Sequence, residues 1–305
     1  MTADTPPVSR RPSVPRALWR ALRPRHWLKN LLVFVPMLAA HALHAGTALQ
    51  SLLAFAAFCL CASSAYLLND VLDAADDRHH PVKRHRPVAS GALPASLARL
   101  VSGLLALTAL AACAYYDALL LLAVAVYFVA TVAYSLYLKR LLMVDTVMLA
   151  LLHTLRVLGG CAVTRIEPSF WLLAFSFFLF LSLALLKRHS ELVNLHRAGK
   201  DKTSGRGYAT ADRQPIGMMG MMGMKSAFVS VVIFMLYFNS ANVLKLYTHP
   251  AWLFGIVPLA MLWLGRLWML SFRGEVHDDP LLYVSKDPFS LVVIAACAGL
   301  GAAAL

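Results

Sequence analysis

The chain carries little charge for its length. Only 14% of its 305 residues are Asp, Glu, Lys or Arg, 60% are hydrophobic, and the mean hydropathy is +0.67. Soluble domains contain about 25% charged residues. This composition excludes an ordinary soluble globule and indicates a polytopic membrane protein. Because a helix satisfies its own backbone hydrogen bonds in lipid, we predict an all-α membrane helix bundle.

Cysteine is also scarce, and its spacing is uninformative. The five cysteines all lie in apolar segments, at Cys59, Cys61, Cys113, Cys161 and Cys297. Neither they nor the histidines show the spacing of a zinc site, and they form no disulfide framework of the kind that small secreted domains need. We interpret the cysteines as small buried hydrophobic residues.

The net charge of +13 does not indicate binding to nucleic acid. The cations lie between apolar spans and are not interleaved with aromatic residues, as they are on nucleic-acid-binding surfaces.

No low-complexity linker divides the chain. We therefore expect a mobile basic N-terminal arm at residues 1–20 and a single transmembrane domain at residues 21–305.

Long apolar stretches recur along the chain. Taking about 20 apolar residues for each crossing, we predict nine transmembrane helices. They lie near residues 27–45, 48–72, 95–114, 117–138, 141–164, 169–188, 217–240, 250–271 and 289–305.

Lys and Arg alternate between the connections of these spans. They are concentrated before the first span and in the connections that follow the even-numbered spans, whereas the opposite connections hold almost none. By the positive-inside rule, we expect the N-terminus and the long polar loops to be cytoplasmic, in a multi-pass protein of the cell (inner) membrane.

Four aspartates follow the second apolar span. Asn69, Asp73 and Asp77 recur every four residues, and they share one face if the helix continues through Asp77. Carboxylates completed by substrate phosphates suit Mg²⁺, and the basic run at residues 78–86 suits phosphate oxygens. We predict a Mg²⁺–diphosphate site at a membrane surface; the alternative is a solvated helix end.

A second polar cluster, formed by Lys187, Arg188 and Glu191, follows the sixth apolar span. Lys187 and Glu191 lie one helical turn apart and can pair with each other. The functional alternative is a second phosphate-binding half-site in which Glu191 contacts a metal or a ribose hydroxyl. Further on, residues 204–208 offer a flexible loop that could close over a substrate.

The fifth span contains ionisable residues at membrane depth. Asp145 and Arg156 are three helical turns apart and share a face, with His153 nearby. Charges inside a membrane are costly and mark functional sites by default, so Arg156 is a candidate for ligand binding. A buried structural ion pair with another helix is the alternative.

Several motifs together resemble the UbiA superfamily of intramembrane prenyltransferases. The stretch Asn69-Asp70-Val71-Leu72-Asp73-x-x-x-Asp77 is similar to the first aspartate motif of that superfamily. Four further stretches resemble its decaprenyl-phosphate phosphoribosyltransferase branch, which serves cell-envelope biosynthesis. They are residues 22–30, 66–70, 80–87 and 187–192.

The resemblance implies a bundle of nine helices with a Mg²⁺-dependent active site in its cytoplasmic loops. The metal ligands would be Asn69, Asp73 and Asp77. The residues that act on the substrate phosphates and the reacting centre would be Asp73, Asp77, Lys83, Arg86, Lys187, Arg188 and Glu191. The residues that bind the ligands would be Lys29, Asn30, Tyr66, Asp70 and Arg156.

The donor substrate follows from one departure from the family pattern. UbiA enzymes that prenylate aromatic rings carry a second Asp-rich motif where this chain has Lys187, Arg188 and Glu191. A basic half-site suits a donor with an additional phosphate, so the resemblance implies transfer of 5-phosphoribose from phosphoribosyl pyrophosphate to a polyprenyl phosphate. The alternative is transfer of an isoprenyl group from its diphosphate to an aromatic or other acceptor.

A non-enzymatic membrane transporter is a third hypothesis. It predicts charges spread through the bilayer midplane and broken helices in related halves of the chain. Here the charges gather at one face of the predicted bundle, which favours the enzyme. Membrane lipid is an expected partner, and self-association as a homo-oligomer is left open.

Overall fold

The structure is a computed structural model that describes residues 13–79, 83–197, 199, 213–238, 240, 246–276 and 279–305. These ranges contain helices and no strand, which confirms the all-α class. The α-helices are α1 (Val14–Leu22), α2 (Val35–Ala39), α3 (Ala45–Leu72), α4 (Ala74–His79), α5 (Ala95–Tyr116), α6 (Ala118–Leu136), α7 (Val144–Thr164), α8 (Phe170–Arg197), α9 (Arg213–Phe238), α10 (Ile256–Phe272), α11 (Pro280–Val284) and α12 (Pro288–Ala304). Short 3₁₀ helices cover Pro24–Phe34, Lys83–His85, Leu138–Arg140 and Pro250–Gly255.

Seven helical segments in the described ranges are long and apolar enough to cross a membrane. They correspond to the second through eighth predicted spans, and α8 continues past its predicted end to Arg197. The first predicted span is instead a 3₁₀ helix followed by the five-residue α2, and α12 is a shorter apolar helix. The count of nine crossings therefore stays a prediction.

The long helices pack around two apolar clusters. Phe58, Tyr127 and Leu152 belong to the cluster between α3, α6 and α7, whereas Leu185 and Trp268 belong to the cluster between α8, α9 and α10. α7 contributes to both clusters and contacts α8, α6 and α3. It is therefore the central helix of the bundle.

The first predicted span lies directly against α7. A Cβ atom at Gly160 would lie 2.1 Å from the carbonyl oxygen of Val33, so only glycine permits this approach. The contact brings the 3₁₀ segment close enough for Asn30 and Arg156 to meet.

At the N-terminal side, Ala17 and Ala21 of α1 are buried in a smaller cluster with residues of α3 and α5. The described part of the predicted mobile arm is thus a packed helix.

The second predicted span, 48–72, ends where α3 ends, and the helix does not continue through Asp77, which was the condition for a shared face. α3 ends at Leu72, Asp73 is its C-cap, and α4 begins at Ala74. Aspartate favours helix ends because its side chain competes for backbone hydrogen bonds. The backbone nevertheless keeps one-turn spacing, since the Asp73 amide bonds the Asn69 carbonyl at 2.9 Å and the Asp77 amide bonds the Asp73 carbonyl at 2.8 Å.

Candidate active site

A cavity of about 270 Å³ lies between the ends of α3 and α6, the first half of α7 and Lys187 in α8. We call it the main cavity. Its wall combines acidic, basic and aromatic side chains drawn from widely separated parts of the chain. The charged members are Arg23, Lys29, Asp73, Asp76, Asp77, Lys83, Arg86, Lys139, Arg140, Arg156 and Lys187. Cations outnumber carboxylates, so the cavity suits an anionic ligand.

Asn69 and Asp73 point at the same positive charge. The ammonium nitrogen of Lys139 lies 3.4 Å from Asn69 Oδ1 and 3.3 and 3.1 Å from the two carboxylate oxygens of Asp73. These oxygens therefore converge on one cation, and the Asp73 side chain is still 30% exposed to the cavity. Oxygen ligands from one carboxylate and one amide, completed by phosphates and water, are a donor set that Mg²⁺ accepts.

Asp77 faces a different cation. Its Oδ2 accepts a hydrogen bond from Arg86 at 2.7 Å, and the same guanidinium nitrogen lies 3.5 Å from Asp70 Oδ1. Arg23 donates to that Asp70 oxygen at 2.5 Å. The structure thus brings two of the three predicted metal ligands together and places the third in an arginine–aspartate network. Within the described ranges, no three His, Cys, Asp or Glu side chains form a metal-binding group.

Lys29 and Lys187 are joined by Asp279. One oxygen of its carboxylate accepts hydrogen bonds from Lys29 at 2.6 Å and from Lys187 at 2.8 Å. The other oxygen accepts from the Leu281 amide at the start of α11. Burial alone would raise the pKa of Asp279, but the two ammonium groups overcome this and hold its pKa well below the usual range.

We expect Asp279→Asn to lower the free energy of unfolding by about 2 kcal/mol or more, because charged hydrogen bonds contribute about 1.5–3 kcal/mol each. The folded pKa of Asp279 lies below the unfolded value of about 3.9. Its stabilising contribution is therefore complete above about pH 4 and is lost only as the pH falls through the lower, folded pKa.

Denaturation in detergent at pH 5 and pH 8 tests this expectation. Asp279→Asn should lower the free energy of unfolding by the same amount at both pH values. A variant that is as stable as wild type at pH 5 would contradict the expectation. Asp117→Asn is the control, because its partner Arg165 is 59% exposed and pairs with a solvated partner contribute less than about 1 kcal/mol. Asparagine can also keep the cap that Asp117 forms on the Leu120 amide.

Arg188 does not line the main cavity. Its side chain is 1% exposed, and its Nε donates to Asp145 Oδ2 at 2.5 Å. The other two nitrogens donate to Glu191 at 2.6 Å and to the Tyr134 hydroxyl at 3.1 Å. The guanidinium therefore binds protein side chains. For Asp145, the structure shows the second of the two alternatives, a buried structural ion pair with another helix.

Arg156 lines the main cavity from α7 and is held from behind. Its Nε donates to Asn30 Oδ1 at 2.7 Å and its Nη2 donates to the Tyr127 hydroxyl at 2.8 Å. Asn30 itself is fully buried and donates to Cys59 Sγ. Tyr66 forms another part of the wall, with the Arg23 guanidinium 5.0 Å from its ring centroid.

Several wall residues escaped the sequence interpretation. Arg23 and His26 lie in the stretch 22–30 that resembles the family but were assigned no role, and Lys139 was counted only among the cations that orient the bundle. Asp279 lines a small adjoining pocket with Lys29 and Lys187 and not the main cavity. The sequence did place its acidic connection at the same cytoplasmic mouth, although the neighbouring Asp278 is outside the described residues. The predicted closing loop at 204–208 also lies outside them.

Three curated relatives match much of the chain. An uncharacterised protein of Sinorhizobium fredii is 38% identical over 279 residues, which cover 88% of this chain and 52% of that protein. The chain thus spans about half the length of this relative. The nodulation protein NoeC of Azorhizobium caulinodans is 35% identical over 285 residues, or 90% and 88% of the two chains. The decaprenyl-phosphate phosphoribosyltransferase of Mycolicibacterium smegmatis is 38% identical over 187 residues, which cover 60% of this chain and 59% of that protein.

Solved structures share the fold. A UbiA homologue from Archaeoglobus fulgidus bound to GPP and Mg²⁺ has a TM-score of 0.66 at 19% identity, with 93% of this chain and 99% of that chain covered. The model of the UbiA prenyltransferase family matches residues 31–286, most of the chain. The protein therefore belongs to the UbiA prenyltransferase family of intramembrane transferases.

Proposed function

We propose that this protein transfers 5-phosphoribose from phosphoribosyl pyrophosphate to a polyprenyl phosphate in a Mg²⁺-dependent reaction. The observation that carries the proposal is the excess of Lys and Arg over Asp in the wall of the main cavity. A donor and an acceptor that both carry phosphate bring more negative charge than one isoprenyl diphosphate does. The partial relative named decaprenyl-phosphate phosphoribosyltransferase supports the same reaction.

The donor diphosphate would bind beside Asn69 and Asp73. Bound Mg²⁺ would neutralise diphosphate oxygens and so improve the leaving group. Lys139, which already lies against these two side chains, and Lys83 would provide further positive charge. Fixed cations that face the departing diphosphate stabilise the charge that develops in the transition state.

The reaction exchanges one bond at the ribose carbon for another. The bond from that carbon to the diphosphate breaks as positive charge develops on the ribose, and a bond to the acceptor phosphate oxygen forms. The acceptor oxygen is already anionic, so no strong general base is required. Lys29 and Lys187, which Asp279 holds side by side, would position the acceptor phosphate.

The orientation in the membrane is part of the proposal. The main cavity is built from connections rich in Lys and Arg, and the opposite end holds the Asp117–Arg165 pair. The positive-inside rule therefore supports a cytoplasmic N-terminus and cytoplasmic active-site loops in the inner membrane. A water-soluble donor would reach the cavity from that side.

Transfer of an isoprenyl group is the second candidate. Two solved structures of a UbiA homologue are described as bound to GPP or DMAPP together with Mg²⁺. Purified protein with Mg²⁺, labelled phosphoribosyl pyrophosphate and a panel of polyprenyl phosphates separates the candidates. We expect labelled lipid product to form. Consumption of geranyl diphosphate without any lipid-linked phosphoribose would favour the second candidate.

A further inference from the structure

A second cavity of about 360 Å³ lies next to the main one. It is lined by Arg20, Arg23, His26, Asp70, His85 and Arg86, together with Pro87, and we call it the arginine cavity. Three of these residues, Arg23, His26 and Arg86, also line the main cavity. The two cavities therefore share a wall, and one ligand with anionic groups at both ends can contact both.

The arginine cavity is strongly cationic. Among the described residues, Asp70 is its one carboxylate, and that carboxylate is already paired with Arg23 and Arg86. Arg20, on the exposed side of α1, forms no ion pair with any carboxylate of the described residues. Burial, reinforced by Lys29, lowers the pKa of His26 to about 4, so His26 is neutral at physiological pH and the charge comes from the guanidinium groups.

Two buried polar atoms of this cavity have no hydrogen-bond partner among the described residues. They are Oδ2 of Asp70, whose side chain is 1% exposed, and Nδ1 of His26. Buried polar groups are nearly always hydrogen-bonded, because leaving one unpaired costs free energy. An acceptor such as Asp70 Oδ2 suits a hydroxyl donor from a ligand, and the surrounding guanidinium groups suit a phosphate.

The residues predicted from sequence to form the second phosphate site are occupied elsewhere. Arg188 is enclosed by Asp145, Glu191 and Tyr134, and Lys187 lies with Lys29 against Asp279, where we place the acceptor phosphate. A donor phosphate that is not lost in the reaction therefore needs other cations. Arg20 and Arg86 are cations of a cavity that adjoins the diphosphate site, and the pairs of Arg86 with Asp77 and Asp70 both involve its Nη1.

We propose that the arginine cavity binds the phosphosugar end of the donor, with the 5-phosphate on Arg20 and Arg86 and a ribose hydroxyl on Asp70 Oδ2. This inference rests on the proposed function, since it assigns a second subsite for the same donor. The phosphate of the lipid acceptor has the same chemistry as this 5-phosphate. The experiment must therefore distinguish these two sources.

Arg20→Gln tests the subsite, and Arg16→Gln is its matched control. Both arginines are exposed on α1, but only Arg20 lines the cavity. Because a charged hydrogen bond is lost, we expect the KM for phosphoribosyl pyrophosphate to rise about tenfold or more in Arg20→Gln. The KM for polyprenyl phosphate and kcat should stay within about twofold of wild type, and Arg16→Gln should behave as wild type.

Two kinetic outcomes overturn the proposal. An equal rise of KM in both variants would mean that only the general surface charge matters. A rise in the KM for polyprenyl phosphate instead would assign the cavity to the lipid phosphate.

Binding of ribose 5-phosphate, measured by calorimetry without acceptor, gives a readout that is independent of turnover. We expect wild type and Arg16→Gln to bind it equally, and Arg20→Gln to bind it about tenfold more weakly. Wild-type protein that consumes no phosphoribosyl pyrophosphate would overturn the proposed function. The calorimetric comparison of ribose 5-phosphate binding would still show whether Arg20 belongs to a phosphosugar site. Equal binding by all three proteins would overturn the subsite.

Discussion

Replacement of Asp73 by alanine should lower kcat/KM by on the order of 10³-fold, the largest catalytic effect that we expect. Asp73 is the partly exposed carboxylate that, together with Asn69, converges on the Lys139 ammonium. Its loss removes a charged ligand from the proposed metal site and leaves Lys139 without its closest carboxylate. Both changes weaken stabilisation of the leaving diphosphate.

A titration with Mg²⁺ separates a metal role from a structural one. Asp73→Asn keeps the size of the side chain, and it should require a higher Mg²⁺ concentration for half-maximal rate while unfolding at the same denaturant concentration as wild type. Asp117→Asn, at the opposite end of the molecule, should change neither quantity appreciably. Near-normal turnover of Asp73→Ala would remove the metal site from the mechanism.

Asp145→Ala should cause the largest loss of stability, about 3–5 kcal/mol. Asp145 is fully buried in α7, and it receives a hydrogen bond from the buried guanidinium of Arg188 in α8. Removing one member of such a pair leaves the other charge desolvated and incompletely compensated. Denaturation in detergent, followed by circular dichroism, measures the effect.

The double variant Asp145→Leu with Arg188→Met distinguishes structure from catalysis. Apolar replacement of both members of a buried pair is often close to neutral, so this protein should be more stable than Asp145→Ala. If Arg188 has only a structural role, the folded double variant keeps kcat within several-fold of wild type. A stable double variant with turnover reduced 10³-fold would restore Arg188 to the catalytic residues that the sequence predicted.

The sequence by itself determined the class of protein, the seven long spans and the existence of the aspartate motif. Apolar runs are local, and a backbone in lipid must satisfy its hydrogen bonds within each helix. The length and composition of each run therefore decide that it forms a helix, whatever it packs against. The predicted span of 48–72 ends with α3 at Leu72. Whether the helix continues through Asp77 was left open, because the end of a helix depends on single side chains.

Only the tertiary structure decided which charges face one another. Asp279 and Lys29 are 250 positions apart, and Lys139 reaches Asp73 from another helix end, so no spacing rule predicts these contacts. The same applies to Arg188. Its place at the end of the sixth span predicted a phosphate ligand, but its guanidinium pairs with Asp145 across the interface of α7 and α8. Local sequence brings charges to one end of the bundle, and the packing of α7 and α8 decides which of them pair inside the protein and which remain for a ligand.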